Sequence, residues 1–146
     1  MKLDYSDDKI KLEKELNALD KFTIDFVNVL DKIKVNYVLV SGYVSILFGR
    51  SRSSEDIDII LGKISHEQFQ KLWNALKIDF ECITTRDSKE AYHDYLITGH
   101  AIRFSKKGEF IPNMEIKFPK VELDAWTLKE RKEVVLNEQA LFISPL

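Results

Sequence analysis

Asp56 and Asp58 stand two residues apart in EDIDIIL, an alternating β-branched run that reads as a strand from about Glu55 to Leu61. Side chains alternate along a strand, so both carboxylates project from one face while Ile57 and Ile59 turn to the core. Carboxylates side by side repel, and a cation between them relieves the repulsion. A hard divalent ion such as Mg²⁺ takes few carboxylates and keeps positions for phosphate oxygens, which suits this pair. Upstream, Ser41-Gly42 closes the apolar run YVLVSG at a strand-to-helix turn. Small residues there let backbone N–H groups approach a phosphate, and the following helix start adds a favourable dipole. Between the turn and the carboxylates lies Arg50-Ser51-Arg52, which holds two of the chain's five arginines. Arginine is suited to bidentate phosphate contact.

Each piece alone has a plainer explanation. An Asp-x-Asp strand also fits a half-solvated edge, and the arginines also fit a solvated loop. What distinguishes them is their order: small-residue turn, short helix, basic loop, then apolar-flanked carboxylates.

The surrounding elements follow from periodicity. Ile10, Leu12, Leu16, Leu19, Phe22, Phe26, Val27, Leu30 and Ile33 recur at helical spacing, which predicts one long amphipathic helix from Ser6, its cap, to Ile33. YVLVSG is a buried strand, and YVSILFG is a short helix closed by Gly49. Ser65 caps a helix to Lys77 with Phe69, Leu72, Trp73 and Leu76 inward. FECIT is a strand, and SKEAYHDYLIT is a helix with Ser88 as its cap. HAIRFS and NMEIKF alternate as a strand pair, and AWTLKERK is a short helix capped by Asp124. EVVLNEQALFIS closes the chain as a hairpin turning at Asn137-Glu138. The fold class is α+β: a mixed sheet of about five strands with helices packed on it, a long N-terminal helix and a C-terminal hairpin.

Composition narrows the remaining classes. The chain has 146 residues, 22 Lys+Arg against 24 Asp+Glu, and 45% hydrophobic residues. It is expected to be one domain with its own core: residues 1–34 as the N-terminal helix, 35–120 as the central part, 121–146 as helix plus hairpin. A net charge of −2 excludes bulk coating of DNA or RNA. One cysteine, Cys82, allows no intrachain disulfide and reads as a small core residue. His66, His93 and His100 show no metal-pair spacing, and Trp73 reads as core. No apolar run reaches the length of a membrane span and no leader pattern is evident, so a cytoplasmic location is expected.

Taken whole, VSGYVSILFGRSRSSEDIDII resembles the signature of the nucleotidyltransferase superfamily with the DNA-polymerase-β-type fold. It is most similar to the small prokaryotic members, which include minimal nucleotidyltransferases and the nucleotidyltransferases of toxin–antitoxin pairs. In that signature a hydrophobic residue, Gly, and Gly or Ser precede a short spacer and an apolar-flanked Asp-x-Asp/Glu. Here Ser41 stands where the first glycine is usual, and the spacer runs from Tyr43 to Glu55. A serine hydroxyl can itself donate to phosphate.

The resemblance implies a nucleotidyltransferase-like fold that binds a nucleoside triphosphate such as ATP with two Mg²⁺ ions. It implies transfer of the nucleoside monophosphate to a hydroxyl or amine, with release of pyrophosphate. The acceptor is left open among a protein side chain, a tRNA end and a small molecule, and the resemblance allows for a partner protein. Asp56 and Asp58 would be metal ligands and Glu115 of NMEIKF the third carboxylate, with Glu109 and Glu81 weaker candidates. Ser41, Gly42, Arg50, Ser51, Arg52 and Lys117 would bind the substrate, although Lys117 also reads as an ion-pair partner of Glu115. The alternative is a catalytically weak or inactive binding module on the same fold, a nucleotide sensor or a toxin–antitoxin partner. Ser41 and the single candidate third carboxylate favour that alternative.

Overall fold

The structure, a computed structural model, describes residues 1–6, 9–40, 42–48 and 56–145. Nine strands form one mixed sheet among the described residues: β1 (Lys2–Ser6), β2 (Lys9–Glu13), β3 (Tyr37–Leu39), β4 (Asp56–Leu61), β5 (Phe80–Cys82), β6 (Ile102–Lys106), β7 (Asn113–Lys117), β8 (Lys132–Leu136) and β9 (Gln139–Ile143). Their spatial order is β1-β2-β8-β9-β3-β4-β7-β6-β5. The helices are α1 (Ala18–Ile33), α2 (Gly42–Leu47), α3 (His66–Leu76), α4 (Ser88–Glu90, continued by a π-helical stretch, Ala91–Leu96) and α5 (Glu122–Lys129). The α+β class holds, but the sheet has nine strands instead of about five.

The largest departure is at the N-terminus, where the expected helix from Ser6 begins only at Ala18. Ile10 and Leu12 fit a period of two as well as a helical one, and pairing decides between them. β2 runs parallel to β8 with Ile10 opposite Val134 and Leu12 opposite Leu136, which buries Leu12 completely. The helix cap is Asn17, whose side-chain oxygen accepts from the Asp20 N–H at 2.8 Å while Asp20 accepts from the Asn17 N–H at 3.1 Å. α1 then buries Phe22, Phe26, Val27 and Leu30 and stops at Lys34 in the left-handed region (φ 61°).

The C-terminal hairpin forms as expected, with Asn137 and Glu138 both at positive φ (45° and 74°), and it joins the same sheet between β2 and β3. Ser65 caps α3, whereas Asp87 and not Ser88 caps α4. Asp124 lies inside α5, where its carboxylate accepts from the Lys120 and Val121 N–H groups at 2.8 and 3.2 Å. The core lies on one face of the sheet: Ile57, Ile59, Met114, Ile116 and Phe104 are buried with Phe26 of α1 and Phe69 of α3. Phe26 packs edge-on to Phe80 at 5.2 Å and Trp73 edge-on to Phe104 at 5.6 Å. No helix among the described residues is long and apolar enough to cross a membrane.

Candidate functional site

The opposite face of β4, β7 and β6 carries the polar residues. All three strands alternate: Asp56 and Asp58 with Ile57 and Ile59, Asn113 and Glu115 with Met114 and Ile116, Arg103 and Ser105 with Ile102 and Phe104. β4 and β7 run parallel with Asp56 opposite Asn113 and Asp58 opposite Glu115. β6 runs antiparallel to β7 with Arg103 opposite Glu115. Register therefore brings three carboxylates and one guanidinium onto one patch of sheet, backed by a packed core.

The patch is tightly coupled. Arg103 Nη2 lies 3.2 Å from Glu115 Oε2, and Arg103 Nη1 lies 3.7 Å from Asp56 Oδ1. Asn113 Nδ2 donates to Asp56 Oδ1 at 2.8 Å. Burial pushes the Glu115 carboxyl above its usual range. The charges of Asp58 and Asp56 and a hydrogen bond shared with Asp58 push the same way, while Arg103 opposes them. A carboxyl raised by two neighbouring carboxylates marks a place where further positive charge is favourable.

The backbone ties the expected phosphate turn to this patch. The Val40 N–H donates to the Asp58 carbonyl at 3.1 Å, and α2 opens at Gly42 just beyond. A Cβ built on Gly42 would meet nothing within 4 Å among the described residues. Tyr43, the next residue, is buried, and its hydroxyl donates to Asp20 Oδ1 at 2.8 Å. Asp20 is fully buried and also pairs with Lys14 Nζ at 3.0 Å. The start of α2 is thus pinned to the cap of α1. Burial and the Asp20 charge push the Tyr43 hydroxyl far above its ordinary pKa, so it stays a donor.

Of the residues picked out by sequence, Asp56, Asp58 and Glu115 converge, and Gly42 lies at the helix start beside them. Ser41, Arg50, Ser51 and Arg52 lie outside the described residues. Lys117 does not pair with Glu115: its Nζ is 3.6 Å from Asp124 Oδ1, because α5 covers that end of the face. Glu81 is on β5, where Oε1 accepts from the Gly108 N–H at 2.9 Å, and Glu109 is exposed on the β6–β7 connection. The His66 and His93 rings lie 4.8 Å apart, tilted by 57°, without joining the carboxylates. Arg103, Asn113 and the Lys14–Asp20–Tyr43 chain escaped the sequence reading. Arg103 was signalled by the alternation of HAIRFS, since a hairpin with NMEIKF sets it across from Glu115.

Mg²⁺ suits the donor chemistry here, because all three carboxylates supply hard oxygens. Asn113 turns its Nδ2 to Asp56, and its Oδ1 is buried without a hydrogen-bond partner among the described residues. As the side chains stand, no group of three His, Cys, Asp or Glu among the described residues is set to hold an ion. The guanidinium of Arg103 occupies the position of the positive charge, so an ion would have to displace it from Asp56 and Glu115.

No family model and no curated protein sequence matches the chain. Among solved structures, it is similar to the crystal structure of an antigenic nucleotidyltransferase-like protein from Paracoccidioides brasiliensis, with 18% identity and a TM-score of 0.49. That similarity covers 88% of this chain and 62% of the other, so the chain spans less than two thirds of that protein's length.

Proposed function

We propose that this protein is a Mg²⁺-dependent nucleotidyltransferase that moves a nucleoside monophosphate from a nucleoside triphosphate to a hydroxyl or amine acceptor. The observation that supports this most is the register of β4 and β7, which sets Asp58 directly across from Glu115 with Asp56 on the same face. The Val40 N–H is bonded to the Asp58 carbonyl and α2 starts at Gly42, so a triphosphate held before α2 would lie against the carboxylates. Asp56, Asp58 and Glu115 would hold the metal, which when bound neutralises triphosphate charge and lowers the barrier to attack at the α-phosphate. Ser41 and Gly42 would bind phosphate through backbone N–H groups, with Arg50, Ser51 and Arg52 adding contacts from the loop. Glu115, partly buried and beside Arg103, would take the acceptor's proton. The rigid sheet would contribute by orientation.

A second reading, a binding module without chemistry, is favoured by the contacts of Arg103 with Asp56 and Glu115. An α-phosphate-labelled triphosphate, incubated with Mg²⁺, cell extract and either the wild type or Asp58→Asn, separates the two. Label transfer with pyrophosphate release, lost in Asp58→Asn, is the expected result. Metal-dependent triphosphate binding without pyrophosphate release would favour the binding module. Absence of both binding and transfer would reject both readings.

A further inference from the structure

Behind the sheet, at the free edge of β5, lies a cleft of about 260 Å³ that faces away from the carboxylate patch. Its wall is aromatic, made by Trp73 of α3 with Phe80 of β5 and Phe104 of β6; its rim carries Lys77, Arg86 and Lys107. Trp73 is half-buried and lies edge-on to Phe104, so it offers the cleft its reachable apolar surface. None of the three rim cations pairs with a carboxylate among the described residues. The one acid on the rim, Glu81, is held by the Gly108 N–H. Cys82 also lines the cleft, but burial raises its thiol pKa, which leaves it inert as a nucleophile.

We propose that this cleft binds a small planar aromatic anion, its ring against Trp73 and its anionic group among Lys77, Arg86 and Lys107. Lys77, Arg86 and Lys107 outnumber Glu81 on the rim, so the opening carries a net positive charge that a single anion offsets. Arginine contributes a fork that matches a carboxylate in two hydrogen bonds, and the aromatic wall selects a flat body over an aliphatic one. The volume is at the small end for ligand pockets, which limits the occupant to about one or two rings. Because the cleft is on the other face of the sheet from Asp56 and Glu115, occupancy does not require the nucleotidyl chemistry.

Benzoate is a suitable probe, with benzyl alcohol as the ring without the charge and acetate as the charge without the ring. The chain has two tryptophans, and Trp126 is 51% exposed, so Trp126→Phe assigns the Trp73 indole N–H signal in NMR spectra with little effect on folding. Benzoate is expected to shift that signal saturably with an affinity of about millimolar, as befits so few atoms. Arg86→Glu and Lys77→Glu, both at exposed positions, should each weaken binding by about tenfold. Absence of a saturable shift would overturn the proposal. So would equal binding of benzyl alcohol or acetate, or unchanged affinity in both charge-reversed variants.

Discussion

Arg103→Gln removes the only described cation that bridges two of the site's carboxylates. The guanidinium lies 3.2 Å from Glu115 and 3.7 Å from Asp56, with the three side chains 43%, 31% and 52% exposed. At such exposure each ion pair contributes about 0–1 kcal/mol. The two together therefore hold the carboxylates by about 1 kcal/mol and at most about 2. A divalent ion entering the patch must release that hold and also faces the positive charge of the guanidinium. Both obstacles vanish in the glutamine variant. Mg²⁺ alone should then bind about tenfold more tightly, since about 1.4 kcal/mol is a factor of ten. Calorimetric titration of metal-free wild type and variant with Mg²⁺ reads this directly. Urea unfolding should show the variant weaker by about 1 kcal/mol and by no more than about 2. A folded variant that binds Mg²⁺ equally or less well would refute the view that Arg103 competes with a metal for these carboxylates.

Other outcomes follow from the same contacts. Tyr43→Phe leaves the fully buried Asp20 one donor short and should destabilise the fold by about 1–3 kcal/mol in urea unfolding. In metal-free buffer, Asp58→Asn removes a like charge and a hydrogen bond from Glu115, so the Glu115 carboxyl should titrate lower by NMR; an unchanged titration would mean the two do not face each other. For Asp124, burial raises the carboxyl, but the Lys120 and Val121 N–H groups and Lys117 outweigh it and hold the folded carboxyl below 3.8. A lowered folded pKa contributes stability above the unfolded value that is lost as pH falls through the folded one. The stability gap between wild type and Asp124→Ala should therefore be full at neutral pH and shrink once the pH drops below 3.8.

The local parts of this fold were readable wherever one periodicity fits the residues. Ile57 and Ile59 against Asp56 and Asp58 admit only a strand, and Phe69, Leu72 and Leu76 only a helix. Ile10 and Leu12 admit both, and the pairing of β2 with β8, more than a hundred residues away, decides the outcome. The same remoteness hid the width of the sheet, because the two terminal hairpins join it only through the pairings of β2 with β8 and of β9 with β3, which no local window contains. At the site, the sequence places Asp56 beside Asp58 by alternation alone. Glu115 was expected there only through resemblance to a family; the parallel register of β4 and β7 brings it opposite Asp58. Arg103 and Asn113 depend on cross-strand neighbours, and Lys117 was drawn to Asp124 by a helix whose placement the sequence does not specify.

In the proposed function, Asp56, Asp58 and Glu115 together form a metal-dependent triphosphate site. Its most direct test is calorimetric titration with a non-hydrolysable triphosphate, in Mg²⁺ and in chelator, of the wild type and of Asp58→Asn. A site of that kind gives saturable binding in Mg²⁺ that disappears in chelator and in Asp58→Asn. Binding that is absent from the wild type, or that persists unchanged in chelator and in the variant, would contradict it.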